Sequence, residues 1–410
     1  MLPGPGADRS RSSAGPERRR GLDPRRLLLE CLQAGLAAVD ARLCVRRQLA
    51  AERLAGEWHV VAIGKAAGSM LEGVLDVLSD RASAGIVVTL PGYCPPAIGR
   101  CGRFRVLESA HPVPDARSLA AGEAVEAFVA GMPKEAQLLF LISGGASSLV
   151  EALVPGVGLA ALQRLNFDAL ASGDGIEAVN ARRRALSRLK GGGLAAIAGP
   201  RRALALMISD VPGNDPAIIG SGLLHAARPR RGVQVPQVPY RIVADVRQAC
   251  RAASACAEMR GYCARVARSS FGGAADVLGR RFARAAGTSA PGTLLVWGGE
   301  STVRLPARPG CGGRNQHLAL SAAIALAGRD DAWLLAAATD GVDGVTRDAG
   351  GLVDGGTCER GAIEGLDARD CLVRADSGRF LAAAGDLLCT GPTLPNVGDL
   401  VLGLRVTGIA

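Results

Sequence analysis

The sequence predicts an α/β protein of two domains, the larger of them built on a mainly parallel, Rossmann-like sheet. Its 410 residues exceed the roughly 100 to 200 residues of an ordinary domain. Three short apolar segments each run through a glycine- or serine-rich turn into a helical pattern, an alternation typical of parallel sheets with helices on both faces. Ligands in such folds lie at the carboxyl ends of the strands, so the three turns are the natural place for a site.

The first element predicted is an amphipathic helix. Leu28, Leu32 and Leu36 fall on one helical face, and polar residues interrupt the apolar run, which argues against a signal sequence. Residues 1–26 are rich in Arg, Pro and Gly and are expected to form a disordered tail. No stretch reaches the roughly 18 apolar residues of a membrane span, so no membrane partner is expected.

The βαβ elements follow in order. The segment WHVVAIGKAAGSMLEGVLDVL predicts a strand, a turn and a helix, and LLFLISGGASSLVEAL and RALALMISDVPGNDP predict two further strands with their turns. Residues 228–240 are rich in Pro and Arg and predict a surface loop. We place the first domain at 27–285 and a second, smaller α/β domain at 290–410. The second domain is expected to contain a helix at 317–327 and strands at 333–339 and 400–406.

Charge and composition argue against a nucleic-acid partner. The net charge is +10, but residues 1–26 hold seven arginines against three acids and so carry +4 of it. Aromatic residues are only 3% of the chain, which leaves few platforms for stacking bases. The eleven cysteines form no C-x-x-C pair and no metal-ligand spacing, so a reducing, cytoplasmic location is expected. The sequence leaves the oligomeric state open, a homodimer included.

The first turn places Lys65 directly after Gly64 at the end of a strand. Backbone N–H groups at a helix start can bind phosphate, and an ammonium beside them can neutralise charge on a transferred phosphoryl group. Only three of the 48 basic residues are lysine, so a lysine in this turn indicates a need for a compact cation. The turn follows neither the dinucleotide nor the P-loop pattern. Tight packing is the alternative reason for its glycine.

The second turn combines a flexible backbone with three serine hydroxyls. Such hydroxyls can donate to phosphate or carboxylate oxygens, and helix capping is the alternative. Lys190 precedes three glycines and is a further candidate for a phosphate contact, although a cationic helix face that ends in a glycine cap has the same pattern. The predicted phosphate-binding residues are Gly64, Ser143, Gly144, Gly145, Ser147, Ser148 and Lys190.

Charged residues also follow the third strand and open the second domain. Asp210 comes directly after the third strand, where it can orient a substrate hydroxyl, and Asp340 ends a second-domain strand, where it can hold magnesium. Arg314 lies in a glycine turn that opens a helix and can reach a phosphate across a cleft. The acids could equally be ordinary turn residues. Asp343 is a second metal candidate, and the predicted substrate-binding residues are Asp215, Glu300 and Asn315. The four histidines form no cluster and receive no catalytic role.

Nine segments in order carry a family resemblance: AIGKAAGSM, SAHPVPDA, LISGGASSL, LSRLKGGGLA, MISDVPGNDP, GGEST, GGRNQH, ATDGVDG and NVGDL. Together they resemble the class II glycerate kinases, a family often named hydroxypyruvate reductases, whose C-terminal domain is called MOFRL. The resemblance implies ATP- and magnesium-dependent phosphorylation of D-glycerate, most often to 2-phosphoglycerate, in a cleft between two α/β domains. It also implies that Lys65, Asp210 and Arg314 are the key charged residues.

Two other functions remain open at this point. A reductase of hydroxypyruvate would need a nicotinamide cofactor, and the G-x-G-x-x-G fingerprint of such enzymes is missing. A metabolite-binding protein without catalysis would use the same scaffold. His317 stands where the family more usually has an acidic residue. The resemblance therefore implies the kinase reaction more firmly than it implies glycerate as the phosphoryl acceptor.

Overall fold

Two sheets organise the chain. A computed structural model describes residues 23–172, 182–226 and 235–406. Most of the predicted tail at 1–26, and part of the loop predicted at 228–240, lie outside the described residues. Within the described part, one parallel and one mixed sheet each carry helices on both faces, which confirms the predicted α/β class.

The first sheet has six strands, and each neighbouring pair runs parallel. The strands are β1 Trp58–Ile63, β2 Ala82–Thr89, β3 Phe104–Glu108, β4 Leu138–Ile142, β5 Ala203–Ser209 and β6 Tyr240–Asp245. Their order is β3-β2-β1-β4-β5-β6, so the strand order reverses between β1 and β4, the position where ligands bind in this fold class. Strand β4 is buried along its whole length, as its continuous apolar run predicts.

Helices cover both faces of this sheet. The helices of this part of the chain are α1 Pro24–Ala38, α2 Ala41–Glu52, α3 Ala67–Leu78, α4 Pro96–Arg100, α5 Ala116–Ala130, α6 Ala146–Leu149, α7 Leu159–Ser172 and α8 Gly193–Ala198. Apolar residues of α2 and α3 pack on one face, and those of α5, α6 and α8 pack on the other. Helices α3 and α6 begin just after the first and second glycine turns, so both turns lie at the carboxyl edge of the sheet.

The second sheet is mixed and has its last strand near its centre. Its strands are β7 Cys263–Val266, β8 Phe271–Ala274, β9 Thr293–Thr302, β10 Ala332–Ala338, β11 Gly350–Asp354, β12 Leu387–Leu388 and β13 Asp399–Arg405. The order is β12-β11-β10-β13-β9-β7, and β8 also pairs with β9. Strand β13 runs antiparallel to both β10 and β9. The predicted strands at 333–339 and 400–406 are confirmed to within one residue.

The helices of the second part of the chain pack on this sheet. They are α9 Val246–Met259, α10 Ala275–Thr288, α11 Arg314–Leu326, α12 Thr357–Ile363, α13 Ala368–Val373 and α14 Ser377–Ala383. Apolar residues of α9 cover one face, and those of α10 and α11 cover the other. In the ranges that the structure describes, no helix has the length and apolar character needed to cross a bilayer.

The sheets place the change of domain earlier than the sequence predicted. Strands β7 and β8 pair with β9 of the second sheet although they precede the expected boundary at 285–290. Helix α1, expected in the first domain, packs Leu28 and Leu32 against the second sheet. Strand pairing and helix docking depend on distant partners, which a local pattern does not reveal. We propose a boundary after β6, near residue 245, with α1 counted in the second domain.

Candidate active site

The first glycine turn is packed into the second. Gly64 follows β1 with φ 134°, a backbone conformation that favours glycine, and a Cβ there would overlap Ser143 Oγ. The Lys65 N–H donates to the Gly144 carbonyl at 2.9 Å, and the Ala66 N–H donates to Ser143 Oγ at 3.1 Å. These bonds join the carboxyl ends of β1 and β4 at the place where the strand order reverses.

Lys65 connects the two sheets. Its ammonium donates to Asp340 Oδ2 at 2.8 Å, and the two side chains are only 15% and 10% exposed. Asp340 lies two residues after β10, so it reaches the carboxyl edge of the first sheet from the second sheet. The two residues therefore join the carboxyl edge of the first sheet to the second sheet, where the sequence predicts the cleft. Such a shielded pair is less weakened by salt than a surface pair.

The second turn brings its backbone close to side chains from both domains. Gly145 has φ 84°, and a Cβ there would lie 3.1 Å from His111 Cδ2. A Cβ on Gly144 would lie 3.0 Å from Asp210 Oδ2 and 3.1 Å from Asn396 Nδ2. The absence of side chains at both glycines thus allows three polar side chains to converge on one turn.

The serines of the second turn contact protein groups. Ser148 Oγ donates to the Gly145 carbonyl at 3.1 Å, and Ser147 Oγ lies 2.6 Å from Ser221 Oγ. Ser143 and Ser148 are buried, but helix α6 has Gly145 as its N-cap residue and receives no side-chain capping bond, so the capping alternative does not describe them. Ser147 is half-buried and is the serine best placed to meet a ligand. A phosphate contact remains a prediction, now centred on the backbone of the turn and on Ser147.

Asp210 follows β5 and faces the same cleft, where it is partly exposed. Burial raises the pKa of Asp210 to about 6, and the carboxylate of Glu300 adds to the rise, while Lys65 and Arg314 lower it. A carboxyl group with a pKa near neutrality can accept a proton in a reaction at pH near 7. Lys65, Asp210 and Arg314, which the sequence predicts as a set, therefore lie close enough to influence one another electrostatically.

Arg314 is held by a buried acid that the sequence did not single out. Arg314 begins α11, and its guanidinium donates to both oxygens of Asp399, at 2.8 and 3.0 Å, and also to Glu300. Asp399 is fully buried at the start of β13, opposite Gly299 of β9. A carboxylate that accepts two bonds from a planar guanidinium fixes its orientation. Glu300, a predicted substrate contact, is half-exposed beside Arg314, and its substrate role stays a prediction.

Asp343 holds the start of α11. Its carboxylate accepts from the backbone N–H groups of Asn315 and Gln316, at 3.0 and 2.7 Å, and the residue is 1% exposed. Burial raises the pKa of Asp343 to about 6, although those N–H groups lower it. Asn315 is also buried and donates to Asp343 and Asp399. Burial of both side chains argues against the metal role predicted for Asp343 and the substrate role predicted for Asn315, and both roles stay predictions.

Asp340 is the remaining predicted ligand for magnesium. Across residues 23–172, 182–226 and 235–406, no three His, Cys, Asp or Glu side chains form a group that could hold a metal. Magnesium commonly binds through one or two carboxylates, with substrate phosphates and water completing its octahedron. A single carboxylate beside the glycine turns fits that mode of binding, so the magnesium role of Asp340 stays a prediction.

Two predicted site residues serve other purposes. Lys190 is 1% exposed, and its ammonium donates to Glu151, which is also buried. Burial lowers the pKa of Lys190, and Glu151 raises it. A buried and paired ammonium has no surface for a phosphate, which argues against the predicted phosphate role of Lys190; that role stays a prediction to be tested. Asp215 is exposed, and its Oδ1 accepts from the Ala217 N–H at 2.9 Å, as expected for a turn residue.

Three polar residues of this region were missed from the sequence: His111, Asn396 and Asp399. All three lie in segments that carry the family resemblance, SAHPVPDA and NVGDL. Their only local signal is a polar side chain close to the start or end of an apolar strand. Such a signal does not say which residues meet, because His111 follows β3, whereas Asn396 precedes β13 and Asp399 is its first residue.

The chain is similar in sequence and structure to known two-domain proteins. Residues 27–237 match a family described as Domain of unknown function (DUF4147), and residues 293–399 match the MOFRL family. A protein of Agrobacterium vitis named "Putative hydroxypyruvate reductase" is 37% identical over 92% of this chain and 93% of its own length. The D-glycerate 2-kinase of Thermotoga maritima is 33% identical over 93% of this chain and 98% of its own length.

A solved structure extends the similarity to the whole fold. The crystal structure of glycerate kinase from Thermotoga maritima, 33% identical in sequence, superposes with a TM-score of 0.84. The superposition covers 93% of this chain and 99% of that one. The chain therefore belongs to the MOFRL-containing class II glycerate kinase family.

Proposed function

We propose that this protein transfers the γ-phosphoryl group of ATP to a hydroxyl of D-glycerate, forming 2-phosphoglycerate and ADP. The observation that carries the proposal is the approach of Lys65 and Asp210 to the turn at Gly144–Gly145, with Arg314 close enough to lower the pKa of Asp210. Two cations suit a transferring phosphoryl group, and a carboxyl group with a pKa near neutrality suits an acceptor hydroxyl. The relatives named glycerate kinase and D-glycerate 2-kinase support the choice of substrate.

Each charged residue has a distinct task in this proposal. The backbone of the turn at Ser143–Ser148 binds ATP phosphates, and Lys65 and Arg314 stabilise the charge on the transferring group from opposite walls. The acceptor oxygen forms a bond to the γ-phosphorus, the bond from that phosphorus to the β–γ bridging oxygen breaks, and ADP leaves. Asp210 accepts the hydroxyl proton.

The proposal includes ATP and Mg²⁺ as cofactors. Asp340 would hold the metal, which neutralises phosphate charge when bound. The Lys65 ammonium donates to Asp340 in this structure. Because Lys65 lies close to the glycine turns, its ammonium can exchange the Asp340 carboxylate for a phosphate oxygen. The same movement leaves Asp340 available as an oxygen ligand.

The name of the Agrobacterium vitis relative raises a second candidate, NAD(P)H-dependent reduction of hydroxypyruvate. The strand order of the first sheet is that of dinucleotide-binding folds. However, the turn after β1 reads Gly64-Lys65-Ala66-Ala67-Gly68, not G-x-G-x-x-G, and it has Ala66 where the dinucleotide fingerprint has the glycine that lets the backbone approach the pyrophosphate. A pair of cations around an acid fits phosphoryl transfer better than hydride transfer, so the kinase is favoured.

The direct test is product identification. Purified protein would be incubated with ATP, MgCl₂ and D-glycerate, and the products followed by phosphorus NMR. We expect a 2-phosphoglycerate signal that grows as the γ-phosphate signal declines. A 3-phosphoglycerate signal would correct the regiochemistry. Intact ATP, together with oxidation of NADH in the presence of hydroxypyruvate, would replace the kinase with the reductase.

The proposed setting is a cytoplasmic enzyme whose partners are small molecules and not nucleic acids. All eleven cysteines lie among the described residues and are free, an arrangement that fits a reducing compartment. A homodimer is part of the proposal, and light scattering coupled to size-exclusion chromatography would test it. A mass near 41.9 kDa would identify a monomer, and twice that mass would support the dimer.

A further inference from the structure

His111 differs from the other three histidines in its hydrogen bonding. His59, His225 and His317 each have a protein partner for one ring nitrogen, at distances between 2.9 and 3.4 Å. No residue in the described ranges forms a hydrogen bond with the ring of His111, which is exposed. An imidazole without a protein partner is free to bond with a ligand.

The His111 ring lies beside the candidate active site. His111 follows β3 by three residues, and its chain segment returns to the turn at Gly145. A Cβ on Gly145 would lie 3.1 Å from His111 Cδ2, 3.5 Å from His111 Nε2 and 3.4 Å from Lys65 Cγ. The imidazole and the Lys65 side chain therefore flank the same glycine. Asp210 approaches the neighbouring Gly144 from another direction.

The charges around His111 favour a neutral ring. Although the residue is exposed, the part of its ring that faces Gly145 is shielded from water, and this desolvation, together with the positive charge of Lys65, lowers the pKa of His111 to about 4, while the carboxylate of Asp340 raises it. A neutral imidazole keeps one N–H donor and one acceptor nitrogen. At neutral pH it is a weaker base than Asp210, whose pKa is about 6. The ring is thus suited to donate a hydrogen bond, and Asp210 is suited to accept the proton.

We propose that His111 donates a hydrogen bond, through a neutral imidazole, to an anionic oxygen of a substrate held at the Gly144–Gly145 turn. The inference rests on the proposed kinase function and names a substrate-binding residue for it. Two substrates supply such an oxygen: the acceptor acid through its carboxylate, and the nucleotide through a phosphate. The ammonium of Lys65 beside the ring makes the position attractive to either anion.

Kinetics of two variants test this contact. His111→Phe keeps a ring and removes the donor, whereas His111→Gln keeps a donor. We expect His111→Phe to raise one KM by about 10- to 100-fold, the range for a hydrogen bond to a charged group, and His111→Gln to recover most of the loss. A raised KM for D-glycerate identifies the carboxylate, and a raised KM for ATP identifies a phosphate. His59→Gln, at the far end of β1 from the turn, is the matched control and should behave as wild type.

NMR of the wild-type protein tests the same contact without relying on a variant fold. Histidine-labelled protein would be titrated with D-glycerate alone, and separately with a non-hydrolysable ATP analogue and Mg²⁺, with His111→Gln used only to assign the signal. A shift of the His111 ¹⁵N resonances with either ligand supports the proposal, even if turnover of D-glycerate is absent and the kinase proposal fails. Unshifted resonances with both ligands overturn it, whatever the KM values of the variants.

Discussion

Two roles for Lys190, a phosphate contact and a buried ion pair, can be told apart by experiment. The pattern of a lysine before three glycines predicts a phosphate contact, whereas the structure buries Lys190 against Glu151, at 1% and 0% exposure. We predict that Lys190→Met destabilises the first domain and leaves the KM for ATP unchanged. Methionine fills a similar volume, so the main change is the loss of the buried cation.

The size of the effect follows from the burial of both partners. Removal of one member of a buried ion pair leaves an uncompensated charge and costs about 3 to 5 kcal/mol. For a domain of roughly 200 residues, that cost corresponds to a fall in Tm of roughly 6 to 20 °C. Replacement of both partners, in Lys190→Met/Glu151→Leu, should recover part of the loss. Recovery should be incomplete because Arg183 also interacts with Glu151.

Denaturant unfolding and steady-state kinetics would be measured on the same preparations. Lys134→Met is the matched control, because Lys134 is exposed and its replacement should change neither stability nor KM. A Lys190→Met protein with wild-type stability and a raised KM for ATP would refute the structural role and restore the phosphate contact.

Further predictions concern the cleft. Lys65→Ala should lower kcat about 100- to 1,000-fold with a smaller change in KM, while Lys134→Ala should leave the rate of ADP formation unchanged; an unchanged kcat would remove Lys65 from the mechanism. The value of kcat/KM should rise with pH, with an apparent pKa of about 6, since only ionised Asp210 accepts a proton. If Asp210→Asn showed the same rise, Asp210 would not be the group that accepts the proton. Folded Asp210 also binds its proton more tightly than the unfolded chain, so its contribution to stability is lost as the pH rises from 3.8 to about 6; urea unfolding of wild type and Asp210→Asn across this range would show it. Asp399→Asn should lower kcat by up to about 100-fold through misplacement of Arg314, and a variant with normal kcat would show that Glu300 alone orients the guanidinium.

The sequence predicted those parts of the structure that depend on neighbouring residues. The segment that contains Trp58–Ile63 was predicted as a strand followed by a turn and a helix, because a continuous apolar run passes into a glycine and then an amphipathic period. Parallel strands place their carboxyl ends at one edge, so the turns at Gly64 and Ser143 were predicted to lie at that edge, and hydrogen bonds join them there. The same reasoning anticipated the position of Asp210.

The contacts that the sequence did not predict are those between segments far apart in the chain. Lys190 and its partner are 39 residues apart, and nothing in a local window identifies the pairing. Asp399 is 85 residues from Arg314 and comes within reach only because β13 pairs with β9. The short strands β7 and β8 belong to the second sheet through hydrogen bonds to β9, a distant partner that their own residues do not identify.

The central position of β13 constrains the order in which the protein can fold during synthesis. All six strands of the first sheet lie within residues 58–245, so that sheet can assemble while the ribosome is still making the rest of the chain. The second sheet stays divided until residues 399–405 emerge and join β10 to β9. Helix α1 is made first, yet Leu28 and Leu32 bury their side chains against that late sheet. Until then its apolar face can pack on helix α9 but lacks the strands that complete its contacts in the finished fold.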